Sequence, residues 1–203
     1  MAFKDGMNAF ERAVKRIFDV LCSFFGLLVL SPVFLLVYIS VRIQHEGSVI
    51  FSQKRIGYKG KPFYIYKFRT MRVNSEPDGQ PKLAVKGDAR LTKVGKFLRE
   101  HHLDELPQLF NVFIGDMSFV GPRPEREYFI SQIKEHTHNY EYIFLMRPGL
   151  TSMATIYNGY TDTMEKMLVR LEMDLDYLQN RSLWLDIKII VTTVLYIVKG
   201  KKF

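Results

Sequence analysis

The feature that most constrains this chain is an apolar run, interrupted in its middle, from Ile17 to Val41. It reads IFDVLCSFFGLLVLSPVFLLVYISV, and Asp19 is its only charged side chain. At ~1.5 Å of rise per helical residue, such a run is long enough to cross a hydrocarbon core of about 30 Å. One straight spanning helix is the simplest reading, and two features weigh against it. Basic residues flank the run on both sides, Arg12, Lys15 and Arg16 before it and Arg42, Lys54, Arg55, Lys59 and Lys61 after it. A spanning helix gathers its Lys and Arg excess on one side only. Ser31-Pro32 also falls near the centre, where proline removes a backbone donor and bends or breaks a helix. Spanning helices do tolerate proline. The residues by themselves therefore leave two readings open, a straight span and a re-entrant hairpin that enters and leaves by one face. A cleavable secretory signal is not expected, because the run exceeds an h-region and no small-x-small site precedes a polar start.

The 203 residues suit one domain with a real hydrophobic core, and 47% hydrophobic with 25% charged residues argues against disorder. The net charge of +8 points to an anionic partner, either phosphates, nucleic acid or an acidic membrane surface. Cys22 is the lone cysteine, so no intramolecular disulfide can form, which suits a reducing compartment.

After the anchor, residues 48–70 predict two short strands around a turn at Gly57 to Gly60, with Val49, Phe51, Phe63 and Ile65 alternating with polar or amphipathic residues. Residues 74–82, NSEPDGQPK, predict a loop. Leu91, Val94 and Leu98 mark a helix over 90–102, and GDMSFVGPRPE reads as a proline-bounded loop. Residues 125–146 and 162–180 predict amphipathic helices. The tail from Leu183 to Val198 is apolar but carries Asp186 and Lys188, so an interfacial helix is expected, with Trp184 and Tyr196 at headgroup level.

No GxGxxG, P-loop, HExxH or paired CxxC is present, which argues against common dinucleotide, ATP and zinc chemistries. The residues that could carry chemistry are Asp104-Glu105, in LREHHLDELPQ, and Arg123, between Pro122 and Pro124. An acidic pair beside a proline is ordinarily a helix-end charge. Neighbours i and i+1 point in different directions on a helix, so one reacting and one supporting role is expected rather than two equal ones. Two prolines restrict the backbone around Arg123 and leave its guanidinium fork suited to phosphate. His101 and His102 read as polar surface rather than metal ligands.

Taken together, KRIFD with LSP, IFSQKRIGYKGKPFYIYKFRTM, LTKVGKFLR, LDELPQLFNVFIGDMSFVGPRPE, RPGLTSMAT and LDIKI resemble the bacterial monotopic phosphoglycosyl transferases. The likeness is to the small single-domain members that initiate glycan assembly, and it covers nearly the whole chain. It implies an α+β fold: a small membrane-associated catalytic domain with amphipathic helices, a short β-hairpin and an N-terminal re-entrant helix bent at Ser31-Pro32. Residues 1–47 would form the N-terminal segment and membrane helix, and residues 48–203 the catalytic domain with its interfacial C-terminal helix.

The resemblance implies that Asp104 attacks the β-phosphate of a UDP-sugar, with Glu105 as its dyad partner. UMP would leave, and polyprenyl phosphate, typically undecaprenyl phosphate, would take the phosphosugar from the aspartyl intermediate. Mg²⁺ would sit against Asp104 and the diphosphate. Lys67, Arg99, Pro122, Arg123 and Pro124 fall on substrate-binding positions of the family. The setting implied is the cytoplasmic face of the bacterial inner membrane, among membrane lipids, with no nucleic acid partner and with room for a homodimer. Two departures stand out: His102 where relatives often carry Ser or Thr, and Thr151 to Thr155 where they often read TGLAQ. The alternatives from other classes are a catalytically silent membrane scaffold, against which the intact dyad and PRP motif argue, and a tethered nucleic-acid binder, which rests on charge alone.

Overall fold

A computed structural model describes the chain except residues 1, 2, 45, 46, 74, 76–82, 84–87, 160 and 200–203. The loop expected over 74–82 thus lies almost wholly outside the described residues. The fold mixes helices with two short sheets, in keeping with the α+β expectation.

Helix α1 (Ala9–Val29) starts at a reciprocal capping box, in which Asn8 and Glu11 satisfy each other's backbone N–H. It ends at Leu30, and α2 (Ser31–Gln44) continues at an angle of 62° to it. Pro32 occupies the first turn of α2, where its missing N–H has no intrahelical acceptor to lose and its fixed φ suits a helix start. The Ser31 hydroxyl donates to the Leu28 carbonyl at 2.8 Å, satisfying one of the carbonyls freed at the break. Among the described residues no single helix is long and apolar enough to cross a membrane, whereas the bent pair together has the length and composition.

Strands β1 (Ile50–Ile56) and β2 (Pro62–Phe68) form the expected antiparallel hairpin, with Ile50 opposite Phe68 and Ile56 opposite Pro62. The turn carries Lys59 and Gly60 in the left-handed region. Phe63, Ile65 and Phe68 of β2 are buried. Asn111, fully buried in α4 (Gln108–Ile114), clamps this hairpin: its amide donates to Tyr64 O at 2.7 Å and its carbonyl accepts Tyr66 N–H at 3.0 Å. Helix α3 (Lys93–Glu100) leans on the end of β2 so closely that a Cβ at Gly95 would lie 2.0 Å from Thr70 O.

Two expectations need correction. The segment GDMSFVGPRPE is not all loop. Ser118–Val120 is a strand, β3, paired in parallel with β4 (Gly149–Thr151). A pairing across some thirty residues of chain leaves no local periodicity to read. The helix expected over 125–146 is also two pieces. Helix α5 (Glu127–His136) stops at Thr137, whose extended backbone turns the chain and whose hydroxyl accepts Asn139 N–H, and a 3₁₀ stretch covers His138–Leu145. Helix α6 (Met153–Asn158), α7 (Met164–Asn180) and α8 (Leu183–Val198) complete the chain. The largest core cluster joins α5, the 3₁₀ stretch, α7 and Ile189 of α8, and includes Phe129, Ile133, Tyr140, Leu171 and Leu178.

Helix α1 is joined to this body by polar contacts. Lys15 pairs with Asp186 of α8, which also accepts the Tyr177 hydroxyl at 2.5 Å. Arg16 donates to Val112 O at 2.7 Å and Phe113 O at 2.8 Å, capping the C-terminal end of α4. Asp19 is 2% exposed and accepts Phe119 N–H of β3 at 3.1 Å. The one charge in the apolar run is therefore a structural acceptor on the strand that leads into GPRP.

Candidate active site

The dyad sits in a single 3₁₀ turn, Leu103–Glu105, placed between α3 and α4. His102 precedes it with φ 55°, in the left-handed region that few non-glycine residues occupy but histidine tolerates better than most. That turn reverses the chain after α3 and brings both acids onto the end of the hairpin.

Adjacent side chains then face different surroundings. Glu105 is seated between two cations. Its Oε1 is 2.5 Å from Lys67 Nζ on β2 and 3.7 Å from Arg123 Nη1. Burial alone would push the Glu105 carboxyl up, but the Lys67 and Arg123 charges outweigh it and hold the group down at about 2. Asp104 is 5% exposed, and among the described residues its carboxylate has no hydrogen bond or ion pair. Burial pushes the Asp104 carboxyl above its ordinary value; Lys67 opposes this, the Glu105 charge adds to it, and Arg99 opposes it from α3. Two neighbouring acids are thus driven in opposite directions by their environments, Glu105 held ionised and Asp104 made more basic. Neighbouring positions thus meet different surroundings, as side chains at i and i+1 do on a helix.

Lys67 is deeply placed on β2; burial draws its ammonium down while Glu105 holds it charged. Arg99 Nε donates to Thr70 Oγ1 at 3.1 Å, tying α3 to the chain just past β2. Pro122 and Pro124 act through the backbone. Pro122 O accepts Gly149 N–H at 2.9 Å, and Pro124 O accepts from Arg55 Nη1 at 3.2 Å. The loop bearing Arg123 is bound on the β4 side by near contact of two glycines: a Cβ on Gly149 would stand 2.1 Å from Gly121 N. The structure therefore brings Lys67, Arg99, Asp104, Glu105 and Arg123 to one place. Ser31 and Pro32 lie apart from them, in the bend between α1 and α2.

His101 stacks on Phe97 with ring centroids 4.3 Å apart, and its Nδ1 lies 2.8 Å from Phe97 O, an exposed surface role as expected. Among the described residues no group of three His, Cys, Asp or Glu side chains could cage a metal. The donor set still fits magnesium, which is commonly held by one or two carboxylates together with substrate phosphates, and the unpaired Asp104 carboxylate meets that need. Sequence reasoning missed Arg55, Glu125, Arg170 and Asp174, which gather behind the Arg123 loop from three separate elements.

The model of a family described as bacterial sugar transferase matches residues 10–200. The chain is 44% identical over 194 residues to a UDP-glucose:undecaprenyl-phosphate glucose-1-phosphate transferase of Klebsiella pneumoniae, covering 95% of this chain and 42% of that protein. It is 39% identical over 187 residues to a UDP-N-acetylgalactosamine-undecaprenyl-phosphate N-acetylgalactosaminephosphotransferase of Aeromonas hydrophila, covering 92% and 44%. It is 41% identical over 187 residues to a UDP-glucose:undecaprenyl-phosphate glucose-1-phosphate transferase of Caulobacter vibrioides, covering 89% and 68%. The chain thus spans well under half the length of the first two of these relatives.

Proposed function

The chain belongs to the bacterial sugar transferase family, and from that premise we propose that it moves a sugar phosphate from a UDP-sugar to undecaprenyl phosphate, releasing UMP. The observation that carries the reading is the contrast between the surroundings of the two neighbouring acids. Among the described residues Asp104 presents a buried carboxylate with no hydrogen bond or ion pair, beside a Glu105 charge matched by Lys67 and Arg123. Cations that partner Glu105 at rest are placed to share their charge with a diphosphate when one arrives.

In the first step an Asp104 oxygen attacks the β-phosphorus. The bond from that phosphorus to the bridging oxygen breaks, and its electron pair leaves with UMP. A carboxylate of raised basicity is the better nucleophile, and the acyl phosphate it forms divides one difficult displacement into two. In the second step a phosphate oxygen of the lipid attacks the same phosphorus and returns the electron pair to Asp104. The product is polyprenyl diphosphosugar, the first lipid-linked stage of a glycoconjugate. Arg123 and Arg99 balance charge on the diphosphate, and Glu105 holds Lys67 in register. Magnesium, held by Asp104 with the substrate diphosphate, would supply further neutralisation of the departing UMP.

A lipid acceptor requires the site to lie at a membrane surface, and the distribution of exposed apolar side chains supports that placement. Ile17, Phe25, Val29, Leu35, Leu36 and Ile43 of the bent pair are exposed, as are Phe110, Phe113 and Ile114 of α4 and Trp184, Val191 and Val198 of α8. So much exposed apolar surface is expected only where something other than water covers it. We read α1–α2 as re-entrant, bent at Ser31-Pro32, with the catalytic body on the cytoplasmic face of the inner membrane.

Two experiments test these readings. Purified chain incubated with Mg²⁺, a panel of UDP-sugars and a short polyprenyl phosphate should release UMP with at least one sugar. No release with any donor would leave the scaffold reading in place. For topology, Asn8→Cys and Glu46→Cys in a Cys22→Ser background should both resist an impermeant maleimide in intact cells and label after the inner membrane is permeabilised. Labelling of one site from outside would establish a straight span instead.

A further inference from the structure

Behind the loop that carries Arg123 lies a buried cluster of charge that the reaction scheme leaves unused. Glu125 is gripped from two sides. Its Oε2 is 3.4 Å from Arg55 Nη1 of β1, and its Oε1 is 3.2 Å from Arg170 Nη1 of α7. Both guanidiniums also bind backbone, Arg55 to Pro124 O at 3.2 Å and Arg170 to Gly159 O at 3.3 Å. The Glu125 carbonyl accepts Ile56 N–H at 3.2 Å. Arg123, Glu125, Arg170 and Asp174 line one void of about 20 Å³, room for a single water, so the four side chains stand together.

Positive charge is in excess here. Burial draws the Arg55 guanidinium down to about 10 against the pull of Glu125, and the Arg123 charge adds to the fall. Arg170 is lowered by burial and then by Arg123 as well. The second acid compensates little near neutrality: burial pushes the Asp174 carboxyl up to about 7, with Arg170 opposing and Glu125 reinforcing. Asp174 Oδ1 is buried with no hydrogen-bond partner. Glu125 is therefore the main counter-charge to two buried arginines, two residues along the chain from a third that faces the dyad. Without it Arg55, Arg170 and Arg123 would repel one another across a poorly solvated space, and Arg123, with 37% of its side chain exposed, is the least buried of the three.

We propose that Glu125 is a positioning residue: held between Arg55 and Arg170, its carboxylate sets where the Arg123 guanidinium stands against the donor diphosphate. The inference rests on the transferase reading. Its own test uses nucleotide binding, with UDP and UMP titrated calorimetrically into the full chain in detergent with Mg²⁺. UDP has the β-phosphate and UMP does not. Glu125→Gln should weaken UDP about tenfold, the scale of one lost charge-assisted contact, while leaving UMP within about twofold. Arg123→Lys should do the same, and the Glu125→Gln/Arg123→Lys double variant should bind UDP no more weakly than the poorer single variant within about twofold. Should Glu125→Gln fail to fold, Arg170→Lys keeps the charge but loses the fork that grips Glu125, and it should weaken UDP and spare UMP in the same way. Variants that bind UDP like the wild type would overturn the inference, as would losses that multiply in the double variant. Wild-type chain that binds no UDP would instead bring down the transferase reading itself, and the positioning role with it.

Discussion

Asp104→Asn is expected to eliminate UMP release, by on the order of 10³-fold or more, as loss of a reacting nucleophile does in other covalent enzymes. The substitution removes the anion and nearly keeps the shape. Because the Asp104 carboxylate has no hydrogen bond or ion pair among the described residues, the exchange orphans no partner, and folding should be preserved. The decisive measurement is intact mass after brief incubation with a productive UDP-sugar and Mg²⁺, with no lipid acceptor. Wild-type chain should gain one sugar phosphate, mapped by peptide analysis to Asp104, and the asparagine variant should gain nothing. Turnover that needs both substrates at once, with no adduct ever detected, would make direct transfer the mechanism and leave Asp104 as a metal ligand or base.

The second large effect is expected at Lys67. Lys67→Met strips Glu105 of the cation at 2.5 Å and leaves only Arg123 at 3.7 Å. Removing one member of a buried pair costs about 3–5 kcal/mol, because the other charge stays desolvated. UMP release should fall together with thermal stability. The pH dependence has a defined sign. In the wild type the Glu105 carboxyl is depressed from its ordinary 4.5 to about 2, so its contribution to stability is complete above about pH 4.5 and is lost as pH falls toward 2. The methionine variant lacks that contribution, so the stability gap between the two proteins should narrow over the same interval. Lys67→Met/Glu105→Leu removes both charges and should recover much of the stability without recovering turnover. A Lys67→Met protein with wild-type stability and wild-type UMP release would show that the pair is incidental.

How much of this was legible in the sequence depends on how far each signal reaches along the chain. The bend at Ser31-Pro32, the hairpin from Ile50 to Phe68 and the helices over 93–100 and 164–180 rest on residues within a few positions of one another. Proline stereochemistry, alternation and helical spacing are local rules, so a single sequence suffices to apply them. The dyad and the PRP arginine were legible through short motifs. Their unequal surroundings were not, because those come from β2 and the loop after β3.

The sequence by itself determined where a bend could fall, which faces are apolar and which residue types could carry phosphate chemistry. Only the tertiary structure decided what those residues meet. Arg16 caps a helix that ends about 100 positions later, Asp19 accepts an N–H of Phe119, Lys15 pairs with Asp186, and Glu125 collects Arg55 from far before it in the chain and Arg170 from far after it. The parallel pairing of Ser118–Val120 with Gly149–Thr151, which shapes the loop bearing Arg123, belongs to the same class. A charge announces its sign in the sequence but not its partner. The partner is selected by desolvation, since a buried charge is tolerated only where the packed fold delivers an opposite charge or a backbone dipole, and that delivery exists only once distant segments have come together.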